Sequence, residues 1–256
     1  FYNMFRSSSS SNGFMDNIPP LTKHILIINV ICFIAAFSLP RIGVDVYQIL
    51  GLHYWKGTDF HFYQLITYMF MHSGIGHIFF NMFAVYMFGQ VIERYYGSRF
   101  YMLFFFLTGL GAGIVQEFAW MYDLRPAIEE YHSYLNNFPA GGIDVGNKVV
   151  HSIDELTVWF HTDFCNRMVT VGASGAVFGL LIAFAISFPD APLYIMFIPI
   201  PIKAKYMMIG YAVLELFLGV QNFTGDNVAH FAHLGGALFG AVLIIYYRKS
   251  RIINRK

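Results

Sequence analysis

Residues 171–188 have the sequence VGASGAVFGLLIAFAISF, a stretch without a single charged side chain. A helix needs about 20 mostly apolar residues to cross the hydrocarbon layer of a bilayer, and only closed hydrogen-bond ladders are tolerated there. This stretch therefore predicts a membrane helix. Five other stretches qualify or come close, and together they predict an all-α membrane protein with a bundle of six transmembrane helices. The six predicted spans are 22–39, 74–92, 100–120, 171–188, 204–220 and 230–247.

The composition of the whole chain supports this class. Of the 256 residues, 57% are hydrophobic and only 12% are charged, whereas a water-soluble domain carries about 25% charge. The same figures exclude disorder, a collagen-like repeat and a small disulfide scaffold. The balance of 16 basic and 15 acidic residues argues against a nucleic-acid partner. Cys32 and Cys165 show neither a CxxC nor a zinc-type spacing.

The placement of Lys and Arg predicts the orientation, because cytoplasmic loops are enriched in basic residues. With six spans, eleven of the sixteen basic residues lie on one side of the membrane, and these eleven include the five of the basic tail 248–256. We therefore expect a multi-pass protein with both termini in the cytoplasm, and the absence of an organelle signal favours a bacterial cytoplasmic membrane. Residues 1–20 are predicted to be a disordered cytoplasmic tail, and 21–247 the membrane domain. An extramembrane insertion on the outer side, 121–170, is predicted between helices 3 and 4.

Two polar residues near the outer ends of predicted spans indicate chemistry, because polar groups in lipid are costly and by default functional. Ser174 begins the fourth span, and His233 lies in the first turn of the sixth, at a similar depth. A serine hydroxyl needs a base to become a nucleophile, and histidine has the pKa suited to that role. GxxxG faces at 175–179 and 236–240 would let the two helix backbones approach closely. The sequence thus predicts that the hydroxyl and the imidazole meet.

More polar residues lie at the start of the second span. His77 and Asn81 are four residues apart and share one helix face, where both could donate hydrogen bonds to an oxyanion. His72 is about 140° around the helix from His77, so a structural or rim role is favoured for it. His230 is expected at the water interface. Ser174 and Asn81 could each instead be interhelical hydrogen-bonding residues.

The main chemical alternative is a zinc site built from the four histidines. The sequence contains no HExxH motif, no Asp or Glu on the second or sixth span, and no suitable spacing on the second. We therefore expect no metal and no cofactor. A proton or ion pathway is weaker still, since Glu215 is the only carboxylate well inside a predicted span.

Three separate motifs appear in this order along the chain: His72-x4-His77-x3-Asn81, Gly172-Ala173-Ser174-Gly175 and Ala232-His233-Leu234-Gly235-Gly236. Together they resemble the rhomboid family of intramembrane serine proteases, over roughly residues 21–247. The resemblance implies a six-transmembrane-helix rhomboid-like bundle. Where many members have Trp-Arg before the second span, this chain has Tyr63-Gln64, which implies a different anchoring of the first outer loop.

The resemblance also implies roles for individual residues. Ser174 would be the nucleophile and His233 its general base, as a dyad without a third carboxylate. His77 and Asn81 would stabilise the oxyanion, and Phe178 would pack against the catalytic imidazole.

The family resemblance further implies what the protein acts on. The expected substrates are single-span membrane proteins, cut in or near the bilayer, and the expected partners are these proteins and the lipid bilayer. Glu93 with Gly97 would form a structural motif, and 221–229 a mobile outer cap. The presence of both Ser and His favours an active serine endopeptidase. The alternative is a catalytically silent rhomboid-like protein that binds and delivers transmembrane substrates.

Overall fold

The computed structural model describes residues 14–146, 148–194, 200–221 and 229–253. Most of the predicted outer cap and residues 1–13 of the predicted tail lie outside these described residues, as does the end of the basic tail. The described chain is mostly helical. The helices are α1 (Pro20–Ser38), α2 (Val46–Leu50), α3 (Gln64–Thr67), α4 (Ile75–Tyr96), α5 (Ser98–Asp123), α6 (Arg125–Asn136), α7 (Ile153–Trp159), α8 (Ser174–Ser187), α9 (Ala204–Gln221) and α10 (His230–Ile253).

Short antiparallel strand pairs join some of these helices. They belong to loops, and each pair covers only two or three residues on each strand. The pairs are β1 (Leu52–His53) with β4 (Val169–Thr170), β2 (Ile143–Asp144) with β3 (Val149–Val150), and β5 (Pro192–Tyr194) with β6 (Pro201–Lys203).

Several helices have the length and apolar composition of membrane helices, as the sequence predicts. Among the described residues, four segments are long and apolar enough to cross a membrane: Pro20–Ile42, Ile75–Tyr96, Ser98–Asp123 and His230–Ser250. The helix α8 is apolar but shorter, with 14 residues. The protein is therefore a helical membrane protein, and the count of six spans stays a prediction.

A buried carboxylate holds the start of α1. Glu93 accepts hydrogen bonds from the backbone N–H of Leu21 at 3.0 Å and from the N–H and hydroxyl of Thr22, both at 2.7 Å. The first N–H groups of a helix have no partner within the helix, and the helix dipole favours an anion there. Ser98 donates to the same carboxylate at 2.7 Å, after the chain has turned at Gly97 with φ of +89°. These contacts give Glu93 and Gly97 the structural role that the family resemblance implies.

The glycine pairs bring α8 and α10 into backbone contact. A Cβ atom on Gly236 would lie 2.6 Å from the carbonyl carbon of Gly175, and a Cβ on Gly240 would lie 2.7 Å from the Cα of Gly179. Neither site has room for a side chain. The predicted close approach of the two GxxxG faces is confirmed, and it places the first turns of α8 and α10 side by side.

The segment 121–170 contains α6, the β2–β3 hairpin and α7, and it supplies most of a separate apolar cluster. The rings of Tyr131 and Phe160 stack at 4.1 Å between centroids, with Leu156 buried beside them. Tyr54, from the loop after β1, belongs to the same cluster. The segment thus packs with the first loop, and its position outside the bilayer stays a prediction.

Candidate active site

The serine and the histidine singled out by the sequence are in direct contact. Ser174 is the first residue of α8, and His233 lies in the first turn of α10. The Nε2 atom of His233 is 2.8 Å from the Oγ atom of Ser174, although the residues are 59 positions apart. At this distance the hydroxyl can donate a hydrogen bond to the imidazole. The contact exists because the glycine faces of the two helices allow their backbones to touch.

Phe178 fixes the plane of the imidazole. It lies one turn after Ser174 on α8, and its ring stacks on that of His233 with centroids 4.5 Å apart and planes 9° apart. This is the packing that the family resemblance implies. The ring of Tyr211 on α9 meets Phe178 edge-on, with centroids 6.4 Å apart.

A cavity of about 790 Å³ opens beside the Ser174 hydroxyl. His77 and Asn81 line it from α4, so the structure brings all five predicted site residues to one cavity: Ser174, His233, His77, Asn81 and Phe178. Gly172 precedes the serine with φ of +134°, a backbone conformation that favours glycine. A Cβ atom there would lie 2.8 Å from Nε2 of His77 and 3.5 Å from Oγ of Ser174. The ring of His77 therefore lies against the backbone of Gly172, next to the hydroxyl of Ser174.

The hydrogen bonds of His77 decide which of its nitrogens can donate. The backbone N–H of Ser73 points at Nδ1 from 3.4 Å, and the Ser73 hydroxyl is 3.0 Å from the same atom. Because a backbone N–H only donates, Nδ1 is the acceptor, and the proton of the neutral imidazole is then on Nε2. This Nε2–H faces the Ser174 side of the cavity. Asn81 uses one amide N–H on the His77 carbonyl, at 2.9 Å, which leaves its second N–H as a possible donor to a ligand.

His72 lies closer to His77 than the sequence analysis predicts. The helix α4 begins only at Ile75, so His72 belongs to the turn before it, and the angular argument for separate faces is wrong. The two rings meet edge-on with centroids 5.0 Å apart. His72 is fully buried, and burial together with His77 lowers the pKa of its imidazole to about 3. A neutral, buried ring that supports His77 agrees with the expected structural role.

A carboxylate that the sequence analysis does not place beside the dyad, Glu215 on α9, lies next to His233. Its Oε2 atom is 3.0 Å from Nδ1 of His233, on the ring edge opposite to Ser174. The carboxylate lies off the direction of the ring N–H, so this is a close polar contact rather than an aligned hydrogen bond. The sequence does mark Glu215 as unusual, because it is the only carboxylate well inside a predicted span. Its contact with His233 depends on how α9 is rotated against α10, which the sequence does not reveal.

The same carboxylate explains why His230 is buried and not at the water interface as expected. Nδ1 of His230 is 2.6 Å from Oε2 of Glu215, and a buried charge needs such partners. Glu215, His230 and His233 bring three metal-ligand atoms within 4.8 Å of one another. However, Nδ1 of each histidine lies within 3.0 Å of the same Oε2 atom of Glu215, and Nε2 of His233 contacts Ser174. These atoms thus already have close polar neighbours within the protein, and the expectation of no metal stays a prediction.

Fold and site together define a helical membrane protein with a half-buried Ser–His pair beside a cavity. A family model described as the Rhomboid domain matches residues 59–124 and 145–250, which include all five predicted site residues and Glu215. The chain belongs to the rhomboid family.

Individual relatives agree with this assignment. The chain is 30% identical over 207 residues to RHOMBOID-like protein 12, mitochondrial, of Arabidopsis thaliana, covering 79% of this chain and 51% of that protein. It is 25% identical over 236 residues to Rhomboid protease AarA of Providencia stuartii, covering 85% of this chain and 66% of that protein. It is also 27% identical over 202 residues to Rhomboid-like protein 11, chloroplastic, of Arabidopsis thaliana, covering 71% and 51%. The chain thus spans between half and two-thirds of the length of these relatives.

Proposed function

We propose that this protein is an intramembrane serine endopeptidase that cleaves single-span membrane proteins in or near the bilayer. The observation that carries the proposal is the 2.8 Å contact between Ser174 Oγ and His233 Nε2 at the edge of a cavity. Family membership supports it, and one relative carries the name of a protease.

In the proposed reaction, Oγ of Ser174 attacks the carbonyl carbon of the scissile peptide bond while Nε2 of His233 takes the hydroxyl proton. The imidazolium then gives this proton to the leaving amine. A water molecule repeats the sequence on the acyl-enzyme and releases the second product. Every proton passes through the one nitrogen that contacts the serine.

The developing oxyanion would be stabilised by donors from residues that line the cavity. The Nε2–H of His77 and the second amide N–H of Asn81 come from α4. The backbone N–H of Ser174 is a third donor, because the first residue of a helix has no partner for its N–H within the helix. Removal of one such donor typically costs about 100- to 1,000-fold in kcat.

The substrate proposal follows from the position of the site between membrane helices. A transmembrane helix protects its peptide bonds within its own hydrogen bonds, so a substrate must unwind before a carbonyl can reach Ser174. Small residues beside a helix-weakening sequence are therefore the expected cleavage region. The lipid bilayer and these substrates are the proposed partners, with no nucleic acid, metal or cofactor. The proposed location is a bacterial cytoplasmic membrane, with both termini in the cytoplasm.

The test compares purified wild type with Ser174→Ala and His233→Ala in detergent. The substrate is a single-span peptide with a Gly- and Ala-rich outer end, and a fluorophosphonate probe reports the activated serine. Wild type should cleave and be labelled, and both variants should lose cleavage. Ser187→Ala, the same change at the other end of α8, should behave as wild type. Adding EDTA should change nothing.

Equal cleavage by wild type, Ser174→Ala and His233→Ala would end the protease proposal. A folded wild-type protein that binds the peptide without cleavage or labelling would instead favour the catalytically silent alternative.

A further inference from the structure

We propose that Glu215 is a positioning residue for His233 and joins Ser174 and His233 as a third member of the reaction centre. This inference rests on the proposed function. The three side chains form a row in space, with the imidazole of His233 in the middle. Oγ of Ser174 is 2.8 Å from its Nε2 atom, and Oε2 of Glu215 is 3.0 Å from its Nδ1 atom. The carboxylate and the hydroxyl thus contact opposite edges of one ring.

A carboxylate at Nδ1 of His233 has two chemical consequences. It favours the tautomer with the proton on Nδ1, which leaves the Nε2 lone pair available for the Ser174 hydroxyl. It also stabilises the imidazolium that forms when His233 takes the serine proton. The proton stays on the imidazole throughout, and Glu215 acts only through the charge and position of its carboxylate.

The surroundings hold Glu215 in this position. It is buried on α9, whereas its neighbours Leu214 and Leu216 are about half exposed and face away from the bundle. His230 binds the same oxygen at 2.6 Å, so the carboxylate cannot turn away without losing a second partner. Glu215 therefore directs a negative charge from α9 into the bundle, next to His233, the proposed general base.

The remaining neighbours of the imidazole do not replace this carboxylate. Phe178 contacts the face of the His233 ring and so constrains its plane, but an aromatic ring cannot select a tautomer. The titratable groups that face His233 within the described residues are Glu215 and His230 on one side and His77 across the cavity. Of these, Glu215 alone supplies a negative charge.

The test uses Glu215→Gln, which keeps the shape of the side chain and removes its charge. Fluorophosphonate labelling of Ser174 should slow by at least about 10-fold at neutral pH, with kcat for the single-span peptide reduced in parallel and KM unchanged. The acid limb of the pH–rate profile should move to lower pH, because the imidazolium loses a neighbouring anion. Glu215→Asp should recover part of the rate. Glu117→Gln, the same change on α5, should match wild type.

The outcomes separate this inference from the proposed function. Wild-type labelling and an unmoved acid limb in folded Glu215→Gln, with Ser174→Ala unlabelled, would overturn the inference alone. A slower rate with an unmoved limb would also overturn it, since that is a structural effect. Labelling of Ser174→Ala at the wild-type rate would overturn both.

Two further results decide the remaining cases. If Glu215→Gln does not fold, Glu215→Asp decides, because its side chain is one methylene shorter. A reduced rate together with an acid limb moved to lower pH supports the inference, and the wild-type rate or an unmoved limb overturns it. Loss of wild-type labelling in EDTA, with recovery on adding Zn²⁺, would assign Glu215 and its histidines to a metal and overturn the inference.

Discussion

The backbone contact between α8 and α10 lies beside the reaction centre, so one added methyl group should separate the serine from the histidine. In Gly236→Ala, the new Cβ atom would lie 2.6 Å from the carbonyl carbon and 3.0 Å from the Cα of Gly175. Non-bonded carbon atoms pack at about 3.5–4.0 Å. Both partners are backbone atoms, so no change of rotamer can relieve the overlap, and the helices must move apart by roughly 1 Å.

This displacement sets the expected magnitudes. The Ser174–His233 contact of 2.8 Å would lengthen to roughly 3.8 Å, beyond hydrogen-bond reach. A misplacement of about 1 Å in a reaction centre can cost about 100-fold in rate, and an overpacked contact costs about 1–3 kcal/mol in the free energy of unfolding. We therefore expect Gly236→Ala to fold, to melt at a lower temperature and to lose about 99% of its labelling rate.

The assay measures fluorophosphonate labelling and thermal unfolding of each variant in the same detergent. Gly210→Ala is the matched control, since a Cβ atom on this glycine of α9 meets nothing within 4 Å. It should label as wild type and be slightly more stable, because alanine is favoured over glycine in helices by about 1 kcal/mol. Gly240→Ala also overlaps α8 but lies one turn further from the serine, so it should lose stability with a smaller loss of rate. Wild-type labelling and stability in Gly236→Ala would refute the claim that this contact sets the Ser–His distance.

Two further predictions concern stability. Glu93→Gln should lower the free energy of unfolding by about 1–3 kcal/mol, because the start of α1 loses a charged hydrogen-bond acceptor. Thermal unfolding measures this, with Glu129→Gln at an exposed position as the control. Equal melting temperatures of the two variants would contradict the prediction. The second concerns His72, whose pKa is about 3 in the folded protein against 6.5 ordinarily. The unfolded chain therefore binds more protons below pH 6.5, and stability should fall by up to about 1.4 kcal/mol per pH unit as the pH is lowered. His72→Gln should flatten this slope between pH 6.5 and 5, and an unchanged slope in the variant would count against the buried neutral ring.

The sequence by itself determined the helices and indicated four of the polar residues that line the cavity, Ser174, His233, His77 and Asn81. An apolar stretch long enough for the bilayer is a local property, so each of the six predicted spans contains a helix within a few residues of the predicted bounds. Ser174 and His233 could be paired because both lie near the start of glycine-faced helices that run in the same direction. The spacing of four residues likewise placed His77 and Asn81 on one face of α4.

The tertiary structure alone decided which side chains surround the imidazole. Hydropathy fixes the depth of a residue along a helix, but the rotation of the helix about its axis is set by packing against its neighbours. Glu215 could therefore be recognised as an unusual carboxylate, whereas its contacts with His233 and His230 became visible only with α9 in place. In the same way, the ring of His72 meets that of His77 because His72 lies in the turn before α4, which starts three residues later at Ile75. Helical periodicity does not predict the path of such a turn.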